Sequence, residues 1–137
     1  MTEDVTSDES FAVNDSIVVL SNGVRVVNTS PHPFVFDDGT SVPACGVTLN
    51  AAFVEGETPA VPGFSGVVFV TTAKQSTAEG LSFLENVPEG VLVLGSAIAA
   101  EAYGFPVVMA VPTAETAGRG TPPADKRMRS DRFTRFS

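Results

Sequence analysis

Apolar and polar positions alternate over short stretches broken by glycine, proline, asparagine and aspartate, the rhythm of a chain built mainly from strands. Ser16-Ile17-Val18-Val19-Leu20 and Val24-Arg25-Val26-Val27 flank Ser21-Asn22-Gly23, and the Asn-Gly pair offers the two left-handed positions of a type I′ hairpin. Phe34-Val35-Phe36 and Thr40-Ser41-Val42 flank Asp37-Asp38-Gly39 in the same way and predict a second hairpin. Val47-Thr48-Leu49 to Phe53-Val54 reads as a further strand, ahead of a surface loop from Glu55 to Pro62. The unbroken run Val67-Val68-Phe69-Val70-Thr71-Thr72 predicts a strand buried on both faces. Ala73 to Gly80 then reads as a polar loop.

Val91-Leu92-Val93-Leu94 predicts another strand, Ser96 an N-cap, Ala97 to Tyr103 an alanine-rich helix and Gly104 its stop. Phe105 to Val111 returns as strand, which gives a strand–helix–strand unit. Gly118, Gly120, Pro122 and Pro123 mark irregular chain before the terminus. The pattern divides the sequence into an acidic N-terminal arm (1–15), a β-rich domain (16–112), and a Pro/Gly-rich segment leading to a basic Arg/Phe tail (113–137). The expected fold class is mainly β (α+β): a compact antiparallel β sandwich or barrel-like domain with one short helix at about 96–103 and extended arms at both ends. Whether the tail folds back on the domain is open at this level.

Composition narrows the function classes. At 137 residues with 43% apolar content, the chain supports one domain with its own core. A single cysteine excludes an internal disulfide and any multi-cysteine zinc site. A net charge of −8 disfavours attraction to nucleic acid or to an anionic membrane. The charge is polarised: residues 1–15 hold five acids and no base, whereas residues 125–137 hold five bases against two acids. Lysine occurs only at 74 and 126, and an acidic, lysine-poor chain suits a salt-adapted host. The acidic N-terminus lacks the basic and apolar regions of a signal peptide, so an origin inside the cell is expected. Val91 to Pro112 is apolar, but Glu101, Tyr103 and Gly104-Phe105-Pro106 divide it into pieces of strand length rather than a membrane span.

Asn28-Thr29-Ser30-Pro31-His32-Pro33, between a short β run and Phe34-Val35-Phe36, resembles the Asn-Leu-Thr-Pro-His signature of small uncharacterised proteins encoded by tailed bacterial and archaeal viruses and proviruses. Gly80-Leu81, then Gly90-Val91-Leu92-Val93-Leu94-Gly95-Ser96 with its alanine-rich helix, is similar to a later segment of that family, as is Val107 to Pro112. The likeness covers residues 24–135 in patches. Thr29 stands where the family has leucine, Ser30 where it usually has threonine, and Ser82 where it has proline; residues 1–23 are an extension. The resemblance implies a viral or proviral origin and a β-rich single domain. It implies no activity, and so no catalytic residues.

Candidate chemistry is sparse. A Cys–His nucleophile would have to combine Cys45 and His32, the only residues of their kinds, but Val42-Pro43-Ala44-Cys45-Gly46 lacks the strand–turn–helix setting of a hydrolase elbow. Pro31-His32-Pro33 reads as a rigid turn, and Asp37-Asp38 as turn chemistry rather than a cation site. Gly118-Arg119-Gly120 could approach a phosphate, though no P-loop surrounds it. The tail is the strongest binding signal: Arg127, Arg129, Arg132, Phe133, Arg135 and Phe136, together with Phe11 in the arm, are of the kinds that anchor protein interfaces.

No catalytic residue, metal or cofactor is therefore expected. The expected function is that of a non-enzymatic, virion-associated or capsid-decorating subunit, docking through its arms on capsid or other virion proteins, as an assembly component or homo-oligomer, without direct nucleic acid or membrane contact. The alternative is a host-acting viral protein that sequesters a nucleotide-like ligand or a host protein, with His32, Arg25 and Arg119 as polar contacts.

Overall fold

Val26 and Val27 are both fully buried, yet as neighbours on one strand they must face opposite ways. Val26 joins Leu20, Phe36, Val42, Leu94 and Val108 in one cluster. Val27 joins Leu49, Val91, Val93, Ala99, Ala100 and Val107 in another. The same alternation runs through Val93 and Leu94 and through Val107 and Val108, so the central strands carry a core on each face. The computed structural model describes residues 13, 15–118 and 120–136.

Those strands belong to a curled five-stranded sheet in the order β1-β2-β7-β8-β9, formed by β1 (Val18–Val19), β2 (Arg25–Asn28), β7 (Val91–Leu94), β8 (Val107–Pro112) and β9 (Met128–Thr134). Helices α1 (Ala78–Glu85) and α2 (Ala97–Tyr103) contribute to the Val27 side. The small hairpin of β3 (Phe34–Val35) and β4 (Ser41–Val42) leads Phe36 and Val42 into the Val26 side. A separate two-stranded sheet, β5 (Ala51–Glu57) with β6 (Val70–Ser76), joins neither.

The chain is thus a β-rich α+β domain, as its sequence pattern predicts. Strand direction in the centre departs from an antiparallel sandwich: β2 runs parallel to β7, and β7 parallel to β8. The β7–α2–β8 crossover accounts for the second pairing, because a helix carried back across a sheet delivers the next strand in the same direction. Ser96 caps α2 by accepting from the Ala99 amide at 3.1 Å, and Gly104 closes it at φ +74°, as the sequence signals predict.

Both expected hairpin turns form, with a different geometry. Gly23 has φ +89°, and no described residue other than glycine has positive φ, so Asn22 is not left-handed. Leu20 N bonds Val24 O while Gly23 N bonds Leu20 O, the type I turn with a left-handed glycine that closes three-residue loops. Phe36, Gly39 and Thr40 repeat this arrangement. Asp38 joins the two turns by accepting from the Ser21 and Thr40 amides, each at 2.8 Å. These backbone hydrogen bonds hold its carboxyl well below the ordinary carboxylate range.

Three other expectations are corrected. Val67 to Thr72 is not a doubly buried strand: β6 starts only at Val70, and Val67, Val68, Phe69 and Val70 are all exposed. A β-branched run reports a preference for extended backbone, whereas burial depends on what covers it. Ala73 to Gly80 is not a loop but the end of β6 and the start of α1, with Thr77 accepting from the Gly80 amide as N-cap. Finally, β5 starts at Ala51 rather than Val47 and continues to Glu57.

The basic tail folds back. β9 pairs antiparallel with the edge of β8, aligning Ala110 with Phe133 and Pro112 with Met128.

Candidate functional site

Apart from Phe11 and Arg119, each residue singled out from the sequence lies among the described residues. Arg127 turns its guanidinium onto the carbonyls of Ala124 and Lys126, both at 3.0 Å. Arg129 grips Asp131 with two parallel bonds of 2.9 Å, which lower the Asp131 carboxyl from its ordinary value. Phe133 lies against Phe36, ring centres 6.2 Å apart, and the Arg135 guanidinium sits 4.6 Å from the centre of the Phe105 ring. Arg132 and Phe136 are exposed. Phe133 and Arg135 thus engage the domain, whereas Arg127 and Arg129 bond within the tail segment itself. Phe11, Arg119 and the remainder of the arm apart from Val13 and Asp15 lie outside the described residues.

The Asn28–His32 segment serves the fold. Asn28, Thr29 and Ser30 are buried. Asn28 Nδ2 donates to the carbonyls of His32 (2.7 Å) and Val42 (3.2 Å), and its Oδ1 accepts from Ser30 N (2.9 Å) and Oγ (2.8 Å). Thr29 Oγ1 donates to the Leu94 carbonyl at 2.7 Å. At the carboxyl ends of the parallel strands Gly95 is closely packed, a Cβ there standing 3.2 Å from Val107, 3.3 Å from Ala99 and 3.5 Å from Thr29 Oγ1. Pro31, His32 and Pro33 are exposed, and His32 enters the hydrogen-bond network through its backbone. Arg25 lies at the opposite end of β2, donating to the Glu89 carbonyl at 3.0 Å. Asp37 accepts from the Ser130 amide at 3.2 Å, so both carboxylates of the acidic pair serve backbone amides.

A cavity of about 430 Å³ opens between Val13, Cys45, Val47, Glu79 and Phe83. Cys45 lines it and His32 does not. No group of three or more metal-ligating side chains occurs among the described residues, and none of their helices is long and apolar enough to cross a membrane.

The unusual feature is the β5–β6 hairpin. Of the 24 residues from Ala52 to Gln75, all but Thr58 are exposed. Register places Phe53 opposite Lys74, Val54 opposite Ala73 and Gly56 opposite Thr71. One face therefore carries Phe53, Glu55, Glu57, Val70, Thr72 and Lys74. The other carries Ala52, Val54, Gly56, Thr71, Ala73 and Gln75, with no charge. No charged residue lies between Glu57 and Lys74, and the tip presents Phe64 at 55% and Val68 at 65% exposure. Phe64 meets Phe69 edge-on, ring centres 5.7 Å apart, and Thr58 N bonds the Phe69 carbonyl at 2.9 Å.

The feet of this hairpin are fastened by one hydroxyl. Tyr103 Oη, at the end of α2, donates to the Asn50 carbonyl (2.7 Å), accepts from the Thr77 amide (3.0 Å) and bonds Thr77 Oγ1 (2.9 Å). It thereby ties the residue before β5 to the residue after β6. Lys74 adds an exposed ion pair to Glu101 at 3.0 Å, a minor contribution in solvent. The Tyr103 ring lies over Gly80, where an added Cβ would overlap it. Gly80→Ala is therefore expected to destabilise the protein by about 2 kcal/mol through overpacking, although glycine to alanine inside a helix ordinarily stabilises by about 1 kcal/mol. Urea unfolding measures the sign, and the penalty should vanish in a Tyr103→Ala background. A gain in stability from Gly80→Ala alone would refute this anchor.

The sequence marked neither Tyr103 nor the exposure of the hairpin, because both depend on partners distant along the chain. The one available signal was the uncharged stretch from Thr58 to Ala73. Comparison of the chain with protein-family models, with curated proteins and with solved structures finds no match.

Proposed function

We propose that this chain is a non-enzymatic structural subunit of a virus particle, docking on neighbouring virion proteins chiefly through the β5–β6 hairpin. The exposed hairpin carries this reading. A two-stranded hairpin is marginally stable alone in water, and contiguous apolar surface left uncovered marks an interaction site. The viral setting rests on the resemblance in the Asn28–His32 segment, and the structural role on the hairpin. Further support comes from the polar side chains flagged in the sequence, since Asn28, Asp37 and Asp38 are taken up by the chain's own backbone. The ligand-sequestering alternative gains no support from Arg25, which opens β2, and His32, which lies four residues beyond its end; neither lines the 430 Å³ cavity.

Quantitative mass spectrometry of purified virus particles tests this function. A fixed copy number relative to the major shell protein is the expected result. Absence of the chain from intact particles overturns the proposal.

A further inference from the structure

Resting on the structural reading above, we propose that the partner covering the β5–β6 hairpin is a second copy of this chain, each copy contributing its hairpin to the shared interface.

The first argument is extent. Interfaces of standard size bury about 800 Å² and about 20–30 residues on each side. The tip from Pro59 to Phe69 exposes eleven residues and the neutral face six more, a surface close to that size. Phe64 and Phe69 at the tip remain 55% and 36% exposed; because each phenylalanine can bury about 150–250 Å², these two alone offer on the order of 200 Å². Val61, Val67 and Val68 at the tip and Val54 on the neutral face, all exposed, extend this surface.

The second argument is charge. Two copies of a chain with net charge −8 repel unless they meet through neutral surface. The tip is neutral, and so is the face bearing Ala52, Val54, Gly56, Thr71, Ala73 and Gln75. A different partner selected by charge would need a charged counterpart here, and this surface has none. An apolar surface is complementary to itself, and a two-fold interface uses the same patch on both subunits. Glu55, Glu57 and Lys74 share the opposite face, which leaves the neutral face free to meet its equivalent.

The third argument is stability. Joining two such hairpins covers the apolar side chains and gives each two-stranded sheet the packing it lacks alone. The Tyr103 anchor holds both feet of the hairpin to α2, which lessens the ordering that association must impose at its base.

The test is the mass of the full chain in solution, by light scattering coupled to size exclusion, over a concentration series reaching about 100 µM. The expected mass is that of two or more chains. Val68→Asp and Val54→Asp place a carboxylate at exposed positions on the tip and the neutral face, and each should raise the dissociation constant about 30-fold or more, the effect of losing an interface hot spot. Arg132→Ala, on β9, should leave the mass unchanged. Circular dichroism and urea midpoints equal to those of the parent chain show that the variants remain folded. A single-chain mass throughout the series overturns the inference, as does an oligomer that both aspartate variants leave intact. Monomeric protein that floats with phosphatidylcholine vesicles overturns it in favour of a lipid surface. The two proposals fail separately: a monomer abundant in particles defeats only this inference, and a hairpin-dependent oligomer absent from particles defeats only the virion role.

Discussion

Asn28→Ala is expected to lower the free energy of unfolding by about 3–5 kcal/mol, a loss reserved for a few mechanisms, among them the rupture of a buried hydrogen-bond network. Asn28 is fully buried at the end of β2, where the chain leaves the sheet for the β3–β4 hairpin. Its amide nitrogen reaches the carbonyls of His32 and Val42, and its carbonyl oxygen receives the amide and hydroxyl of Ser30. The backbone of the same residue accepts from Cys45 N at 2.8 Å. One side chain thus joins β2, the Pro31–Pro33 turn and β4. Alanine leaves the Ser30 amide and the Val42 carbonyl without the partner they have here, each orphaned group costing about 1–3 kcal/mol, and adds a small void. Asn28→Asp is the discriminating companion: nearly the same shape, it accepts from Ser30 but cannot donate to the two carbonyls, and it buries a charge. It should be at least as damaging as alanine. Urea denaturation with a common m-value provides the measurement; a loss below about 1 kcal/mol for Asn28→Ala would contradict the structural role of this residue.

Local signals were legible where the physics is local. Ser96 and Gly104 bracket α2 because caps are satisfied within a turn, and Asn22-Gly23 and Asp37-Asp38-Gly39 located both turns because glycine alone enters the left-handed region freely. The turn subtype was not legible, since it depends on Asn22 staying right-handed within a three-residue loop. α1 was hidden by Gly80, a poor helix former retained under the Tyr103 ring. The β-branched run around Val68 announced extended backbone but not its exposure, and the uncovered hairpin was missed for that reason. The tail misled for another. Met128 and Phe133 lie five residues apart, out of step with the two-residue repeat of a regular strand. They nevertheless pack against the same cluster, because the β9 ladder shifts register between Ala110 and Pro112. Half-buried Arg129 and exposed Asp131 and Arg132 lent the segment the look of a solvated arm.

That register shift makes the C-terminal strand a structural strap, and a chain ending at Arg127 is expected to lose most of its stability. Removal of β9 strips Met128 and Phe133 from the cluster around Phe36, and full burial of a phenylalanine such as Phe36 is worth about 1.5–3 kcal/mol. It also deletes three bonds that fix both hairpin turns to the sheet edge: Asn22 Nδ2 to the Ser130 carbonyl (2.8 Å), Ser130 N to Asp37 Oδ1 (3.2 Å), and Asp37 N to the Met128 carbonyl (2.7 Å). Half-burial of two large side chains, uncovering of a third and loss of these bonds at about 1 kcal/mol each amount to about 5 kcal/mol, comparable to the entire stability of a modest domain. The sequence pattern, by contrast, casts the tail as an extended docking arm outside the domain, and such an arm would be dispensable for folding. The two views separate cleanly in the test tube. A strap predicts that the truncated chain loses its cooperative urea transition, that Phe133→Ala weakens the full-length protein by about 2 kcal/mol, and that Arg132→Ala, at an exposed position on the same strand, changes little. If the truncated chain unfolds cooperatively within about 1 kcal/mol of the full-length protein, β9 is an arm laid on a domain that stands without it.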